Sequence, residues 1–124
     1  MGVKNTQEDI RRREREFSRI VEAAAKPIEA DIAAVTGVQK VWCGHFGATG
    51  IDPKHLFIYF VLPARDHVAQ LRMSAVWDSI KAQLRQRLDD YGYPVAALQE
   101  HWVDLFSQEE CDDVADGNWY HFFK

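Results

Sequence analysis

The chain has 124 residues, of which 47% are hydrophobic and 12% aromatic, and its formal charge is −4. This length predicts a single domain, residues 1–124, large enough to bury a core without disulfides or a structural metal. The aromatic content excludes disorder for most of the chain, and no apolar run approaches the ~20 residues that a membrane span requires. The polar segment Met1–Arg15 lacks the apolar core of a signal peptide, so we expect a cytoplasmic protein with Cys43 and Cys111 as free thiols.

The charge is unevenly distributed along the chain. Residues 63–124 hold eleven Asp or Glu and six Lys or Arg, whereas residues 1–62 are close to neutral. An acidic C-terminal half disfavours nucleic acid as a ligand, because phosphates are bound through Lys and Arg. The charge distribution favours a basic protein partner instead.

The first predicted element is a helix that starts near Thr6. Thr6 and Asp9 have the spacing of a capping box, and apolar residues then recur at helical spacing as far as Ile28. Pro27 is expected to kink or restart the helix, and Gly37 to cap its C-terminus.

A run of arginines at positions 11–13 and 15 lies off the apolar stripe of this helix. Acidic residues four positions away predict the local ion pairs Glu8–Arg12, Asp9–Arg13 and Arg12–Glu16. The run therefore predicts a solvated helix face rather than a patch for nucleic acid.

Three strands and a second long helix follow. Strands are predicted over 38–46, 55–62 and 95–106, with the helix over 66–91. The second strand, HLFIYFVL, is apolar on both faces, which is typical of a central strand. The short loop before it predicts an antiparallel pair, and the strand–helix–strand unit predicts a right-handed parallel crossover. The result is an α+β fold, a two-layer sandwich in the order α-(α)-β-β-α-β.

The core is predicted where the central strand meets its covering helix. Its expected members are Val41, Phe57, Ile58, Phe60, Trp77, Ile80 and Leu84.

The last part of the chain is expected to form a helical turn and an aromatic tail. Ser107 and Glu110 predict a capped turn that runs to about Ala115, and the residues from Asn118 to Phe123 include four aromatic rings. Such a terminus is stable only if it docks, either on the protein itself as a last strand or on a partner.

No sequence motif predicts catalysis, a cofactor or a metal site. The segment from Gly44 to Gly50 fits neither the dinucleotide fingerprint nor the phosphate loop, and it predicts a structural turn. The five histidines lack metal-ligand spacing, and spacing gives no support to a set of His101, Asp104 and Cys111.

Two surfaces are candidates for binding. The first is a partner surface in which crowded carboxylates adjoin aromatic anchors: Glu109, Glu110, Asp112, Asp113, Asp116, Trp119 and Tyr120. Because like-charge crowding gives no folding energy, exchange of Asp112 and Asp113 for Lys is expected to leave stability almost unchanged. The alternative is a pocket on the open sheet face, lined by Trp42, Tyr59, His101 and Trp102.

The C-terminal region resembles a group of small bacterial proteins. The residues that carry the resemblance are Tyr93-Pro94, Ser107-Gln108-Glu109 and Gly117-Asn118-Trp119-Tyr120, within a stretch of about half the chain. The resemblance brings no established activity with it, and Ala115-Asp116 departs from the small residue expected beside Gly117. In size, acidity and lack of a catalytic motif, the chain is also similar to immunity proteins of bacterial toxin systems.

Three functional hypotheses follow. The first is a non-enzymatic binding protein, of the immunity type, that occludes a toxin through the acidic, aromatic-anchored surface. The second is a small-molecule-binding domain or enzyme with a pocket on the open sheet face. The third is a homodimeric structural domain in which a second copy buries that face.

Overall fold

A computed structural model describes residues 6–124, so the first five residues of the polar N-terminal segment lie outside the described part. Residues 6–124 form five α-helices and three strands, in this chain order: α1 (Gln7–Thr36), β1 (Trp42–Phe46), β2 (Phe57–Leu62), α2 (Arg65–Arg72), α3 (Ala75–Asp90), β3 (Val103–Ser107), α4 (Gln108–Ala115) and α5 (Trp119–Phe122). Short 3-10 turns over Pro53–His55 and Val95–Ala97 precede β2 and β3.

The three strands form one mixed sheet in the order β1-β2-β3. β1 and β2 are antiparallel, with Gly44 opposite Tyr59, and β2 and β3 are parallel, with Phe60 opposite Leu105. The predicted α+β fold, the central position of β2 and the direction of both strand pairs are confirmed.

The main core lies between the sheet and the helices α1 and α3. Alternation along β2 directs Ile58, Phe60 and Leu62 to this side, where fully buried residues of the helices such as Ile28 and Leu84 meet them. The prediction of a buried position is confirmed for Ile58, Phe60, Trp77, Ile80 and Leu84.

Two of the predicted core residues are only half-buried. Val41 lies just before β1 at the margin of the core. Phe57 occupies the other face of β2, because successive side chains of a strand point to opposite sides.

Helix α1 runs through Pro27 without a restart, so that part of the prediction is wrong. Ala24, Ala25 and Ile28 on either side of the proline are completely buried, and their packing outweighs the loss of one backbone hydrogen bond. The predicted caps are confirmed: Thr6 Oγ1 accepts from the Asp9 backbone N–H, and Gly37 ends the helix in the left-handed region.

The arginine run of α1 makes other contacts than the predicted i,i+4 pairs. Arg12 pairs with Asp9 at 3.1 Å, and Arg13 Nε donates to the backbone carbonyl of Gly50 at 3.0 Å. The loop after β1 lies directly against α1, since a Cβ at position 50 would overlap the Ile10 carbonyl. Arg13 therefore holds the loop in place, which is a tertiary contact that helical spacing does not reveal.

The predicted helix over 66–91 is two helices, α2 and α3, that meet at Ser74. The Ser74 Oγ accepts from the Val76 backbone N–H and so caps a new helix. The restart changes the helical phase, and Met73, at the junction of the two helices, is 89% exposed.

The third strand begins at Val103, eight residues later than predicted. Pro94 has no N–H to donate to a ladder, and the chain from Val95 to Ala97 forms a 3-10 turn instead. The buried Tyr93 fixes this segment: its hydroxyl donates to the Pro53 carbonyl at 2.6 Å and its ring lies 4.8 Å from that of Phe17.

The buried Tyr93 phenol predicts a loss of stability at alkaline pH. Burial raises the pKa of Tyr93 to about 12, whereas an unfolded tyrosine titrates near pH 10. The folded state holds the neutral phenol, so its stabilising contribution is complete below about pH 10 and disappears as the pH rises towards 12.

We expect Tyr93→Phe to lower the free energy of unfolding at pH 7 by about 1 kcal/mol, because the Pro53 carbonyl loses its donor. The same substitution should reduce the loss of stability above pH 10. Urea denaturation across the pH range measures both effects, with the exposed Tyr91→Phe as the matched control. An identical alkaline profile in Tyr93→Phe and the unmodified protein would contradict the assignment.

Candidate functional site

The sheet face opposite α1 and α3 carries aromatic side chains from every strand. Alternation along the paired strands places five rings there, and we call this surface the aromatic face: Trp42, Phe46, Phe57, Tyr59 and Phe106. Two of these rings, Trp42 and Phe46, remain 38% and 45% exposed.

The aromatic tail folds back over this face, so the chain itself covers it. Trp119, Phe122 and Phe123 contact the rings of the sheet, with centroid distances of 5.5 Å from Trp119 to Trp42 and 5.1 Å from Phe123 to Phe46. The prediction that the tail docks on the protein is confirmed, but it docks as the helix α5 and not as a strand.

Helical geometry explains the form of the docked tail. Residues spaced by three and four positions share one side of a helix, which brings Trp119, Phe122 and Phe123 onto the sheet together. In a strand, Trp119 and Phe122 would point to opposite faces. Asn118 starts the helix, because its Oδ1 accepts from the His121 backbone N–H at 3.1 Å.

Tyr59 lies at the centre of the aromatic face. Its ring centroid is 4.6 Å from that of Phe123, 5.8 Å from Trp42 and 5.9 Å from Trp119. The Tyr59 ring lies over Gly44, its partner on β1, so a Cβ added at position 44 would overlap the phenol group. Glycine at position 44 is therefore required for this position of Tyr59.

We expect Gly44→Ala to destabilise the fold by about 1–3 kcal/mol, the usual cost of overpacking. The cost should fall by about 1 kcal/mol or more when Tyr59 is also truncated to Ala, because the two residues are in direct contact. A double-mutant cycle from urea denaturation measures this coupling. Additive effects of the two substitutions would show that Tyr59 does not lie over Gly44.

A cavity of about 450 Å³ opens between the sheet and α5. Its walls come from the end of β1, the middle of β2 and the tail: His45, Phe46, Tyr59, Trp119, Tyr120, Phe123 and Lys124. Tyr120 is 72% exposed at its rim, and the Lys124 Nζ lies 5.1 Å from the centroid of the Tyr120 ring. We call this space the aromatic cavity.

A smaller cavity of about 300 Å³ adjoins it between α1 and β1, and shares His45 and Tyr59 with it. Here the His45 Nε2 lies 3.9 Å from the Glu22 Oε1. Burial lowers the pKa of His45, against the opposing effect of the Glu22 carboxylate, so the imidazole is neutral at pH 7. The His45 wall therefore adds no positive charge to the aromatic cavity.

Helix α4 carries the acidic residues of the predicted partner surface, and folding uses several of them. Arg65 of α2 lies 2.6 Å from Asp113 and 3.5 Å from Glu109, while Asp112 accepts from the Gln108 side-chain amide at 2.9 Å. Ser107 caps the helix as predicted, because its Oγ accepts from the Glu110 backbone N–H.

Glu109 and Asp113 therefore have a cationic partner within the fold, although solvent screens these exposed ion pairs. Glu109 and Glu110 also occupy the first turn of α4, where the helix dipole favours negative charge. Within residues 6–124, Glu110, Asp112 and Asp116 form no ion pair closer than 4 Å. These three are the carboxylates left for a partner.

The structure separates the four residues of the predicted pocket. Trp42 and Tyr59 lie together on the aromatic face, but His101 lies at a neighbouring cleft beside Phe57. Trp102 belongs to the main core and contributes with Trp77 to a groove along α3, and His101 lines that groove as well. The reason is that β3 starts only at Val103, so strand alternation does not fix the direction of Trp102.

Sequence reasoning missed most of the rings that complete the site. The omitted residues are Phe46, Phe57, Phe106, Phe122 and Phe123, together with His45 and Lys124. The alternation of Trp42, Gly44 and Phe46 is a signal for one face of β1. The placement of the tail has no local signal, because it depends on contacts with strands about 60 residues away.

Both cysteines are free thiols in the structure, as predicted. Burial raises the pKa of Cys43 to about 12, and it also raises the pKa of the completely buried Cys111. Because the thiolate is the reactive form, we expect slow modification by a thiol reagent at pH 8 in the folded state and rapid modification of two thiols in denaturant. Fast labelling of the folded protein would contradict the burial of these groups.

Residues 6–124 contain no group of three or more metal-ligating side chains placed to hold an ion. No helix in this part of the chain is both long and apolar enough to cross a bilayer. Comparison of the chain with known protein families, curated protein sequences and solved structures finds no match.

Proposed function

We propose that this protein is a non-enzymatic binding protein of the cytoplasm that docks a basic protein through the aromatic face and helix α4. The proposed mode of action is that of an immunity protein, which occludes the working surface of a toxin and needs no chemistry of its own. We call the contact region the docking surface and define it by Trp42, Phe46, Tyr120, Asp112 and Asp116.

The observation that carries the proposal is the exposure of large rings around the aromatic cavity. Trp42, Phe46 and Tyr120 stay well exposed although they adjoin a well-packed aromatic cluster. Exposed aromatic side chains on a rigid base are the usual anchors of protein interfaces, because they bury much area at little cost in conformational entropy.

Charge supports a basic partner. The carboxylates of Glu110, Asp112 and Asp116 have no ion-pair partner within the described chain. Glu110 and Asp112 belong to α4, and Asp116 follows its last residue on the way to α5. Their field would speed the approach of a basic surface and orient it, while the rings supply most of the affinity.

The sheet edges support docking on this surface rather than strand addition. At the β1 edge, the Cys43 backbone N–H donates to the Glu29 carboxylate at 3.1 Å. At the β3 edge, the Leu105 carbonyl accepts from Arg72 at 2.7 Å. Side chains thus occupy the backbone groups that an added strand would need.

The position of the aromatic tail weighs against the homodimer hypothesis. That hypothesis required an uncovered sheet face, and the tail of the chain covers it. A small-molecule site remains the second candidate function, and the aromatic cavity of about 450 Å³ is the observation that favours it.

The test begins with capture of binding proteins from the cells that produce this protein. Each candidate is then purified, and its affinity for the unmodified protein and for defined variants is measured by titration. A partner that fits the proposal is basic, and its affinity falls at least about tenfold in Tyr120→Ala, as expected for an interface anchor. Asp112→Lys should slow its association and flatten the dependence of the on-rate on salt.

Asp89→Lys is the matched control, because Asp89 is an exposed carboxylate on α3, away from the docking surface. Asp113→Lys is unsuitable as a binding probe, since it also removes the ion pair with Arg65. If every captured partner binds the Tyr120→Ala and Asp112→Lys proteins as tightly as the unmodified protein, the docking surface lies elsewhere.

A further inference from the structure

We propose that the aromatic cavity is a receptor for a lysine side chain of the partner, and that Lys124 competes for it in the free protein. The inference deepens the proposed function by naming the chemical group that the docking surface binds. It rests on that function for the identity of the partner, but it can be tested with a small ligand alone.

The walls of the cavity have the chemistry that an alkylammonium group requires. Tyr59, Trp119 and Tyr120 present aromatic rings to it, and Phe46 and Phe123 also line it. The face of an aromatic ring carries partial negative charge, so it attracts a cation, while the methylene groups of lysine are buried against the same rings.

The structure contains an example of this contact in Lys124. Its ammonium nitrogen lies 5.1 Å from the Tyr120 centroid, within the distance of about 6 Å over which such pairs attract. Lys124 is exposed, and rotation about its side-chain bonds can carry the ammonium group into solvent. An incoming lysine can therefore replace it without a change in the fold.

The surroundings favour a cation over an anion. The acidic helix α4 ends immediately before the tail that forms the other wall. Lys124 is the one permanently charged cation among the lining residues. When its side chain moves into solvent, the remaining lining residues carry no permanent charge, and aromatic rings form most of the wall.

The experiment compares two ligands that differ in the ammonium group. Nα-acetyl-lysine methylamide and Nα-acetyl-norleucine methylamide are titrated into the full chain, and NMR follows the indole N–H of Trp119. We expect the lysine ligand to bind roughly two- to fivefold more tightly than the norleucine ligand, the range for a partly exposed cation–π contact.

Variants of the rim residue test where the preference arises. Tyr120→Leu should lower the preference for lysine, leaving only the part that Tyr59 and Trp119 supply, whereas Tyr120→Phe should keep all of it, because phenylalanine retains the aromatic face. Both variants should fold, since Tyr120 is 72% exposed. Lys124→Met should strengthen binding of the lysine ligand roughly twofold or more, because it removes the competing ammonium group while keeping a side chain of similar length.

Three outcomes would overturn the inference: equal binding of the two ligands, binding of neither, or a lysine preference that is undiminished in Tyr120→Leu. Its failure is distinguishable from failure of the proposed function. A basic partner that depends on Tyr120 without any lysine preference retains the function and rejects the receptor. If the lysine ligand is preferred but no basic partner depends on Tyr120, the receptor is retained and the proposed function is rejected.

Discussion

Strand β2 is apolar on both faces, so other parts of the chain have to cover both sides of it. This constraint organises the rest of the structure. Ile58 and Phe60 point to one side and are covered by α1 and α3, which form the main core. Phe57 and Tyr59 point to the other side, where no long helix is available. The aromatic tail provides the second cover, and its burial against Tyr59 is what gives the C-terminal residues a fixed position.

The small size of that second cover produces the candidate site. Helix α5 has four residues, so it covers the middle of the aromatic face and leaves Trp42 and Phe46 partly exposed at the margin. The space between the sheet and the tail is the aromatic cavity. A feature needed for folding thus creates a surface with the properties of a binding site, and the proposed docking function follows from its incomplete closure.

The acidic helix α4 has two roles that the sequence alone does not separate. Glu109 and Asp113 form exposed ion pairs with Arg65, which link α4 to α2. Asp112 and Asp116 have no such cationic partner within the described residues and are available to a basic protein. This division explains why substitutions at neighbouring carboxylates are expected to affect stability in one case and association in the other.

The sequence by itself determined the features that depend on local chemistry. A run of residues that is apolar on both faces identified β2 as central, hydroxyl spacing identified the cap at Ser107, and the connections between strands indicated the sheet directions. These signals are strong because each depends on residues within a few positions of one another.

Only the tertiary structure decided the break at Ser74, the late start of β3, the helical form of the tail and the separation of Trp102 from Tyr59. Each of these depends on which distant surface a segment meets. The tail could present its rings as a strand or as a helix, and the position of Tyr59 selects the helix, because only that form brings Trp119, Phe122 and Phe123 onto the sheet together.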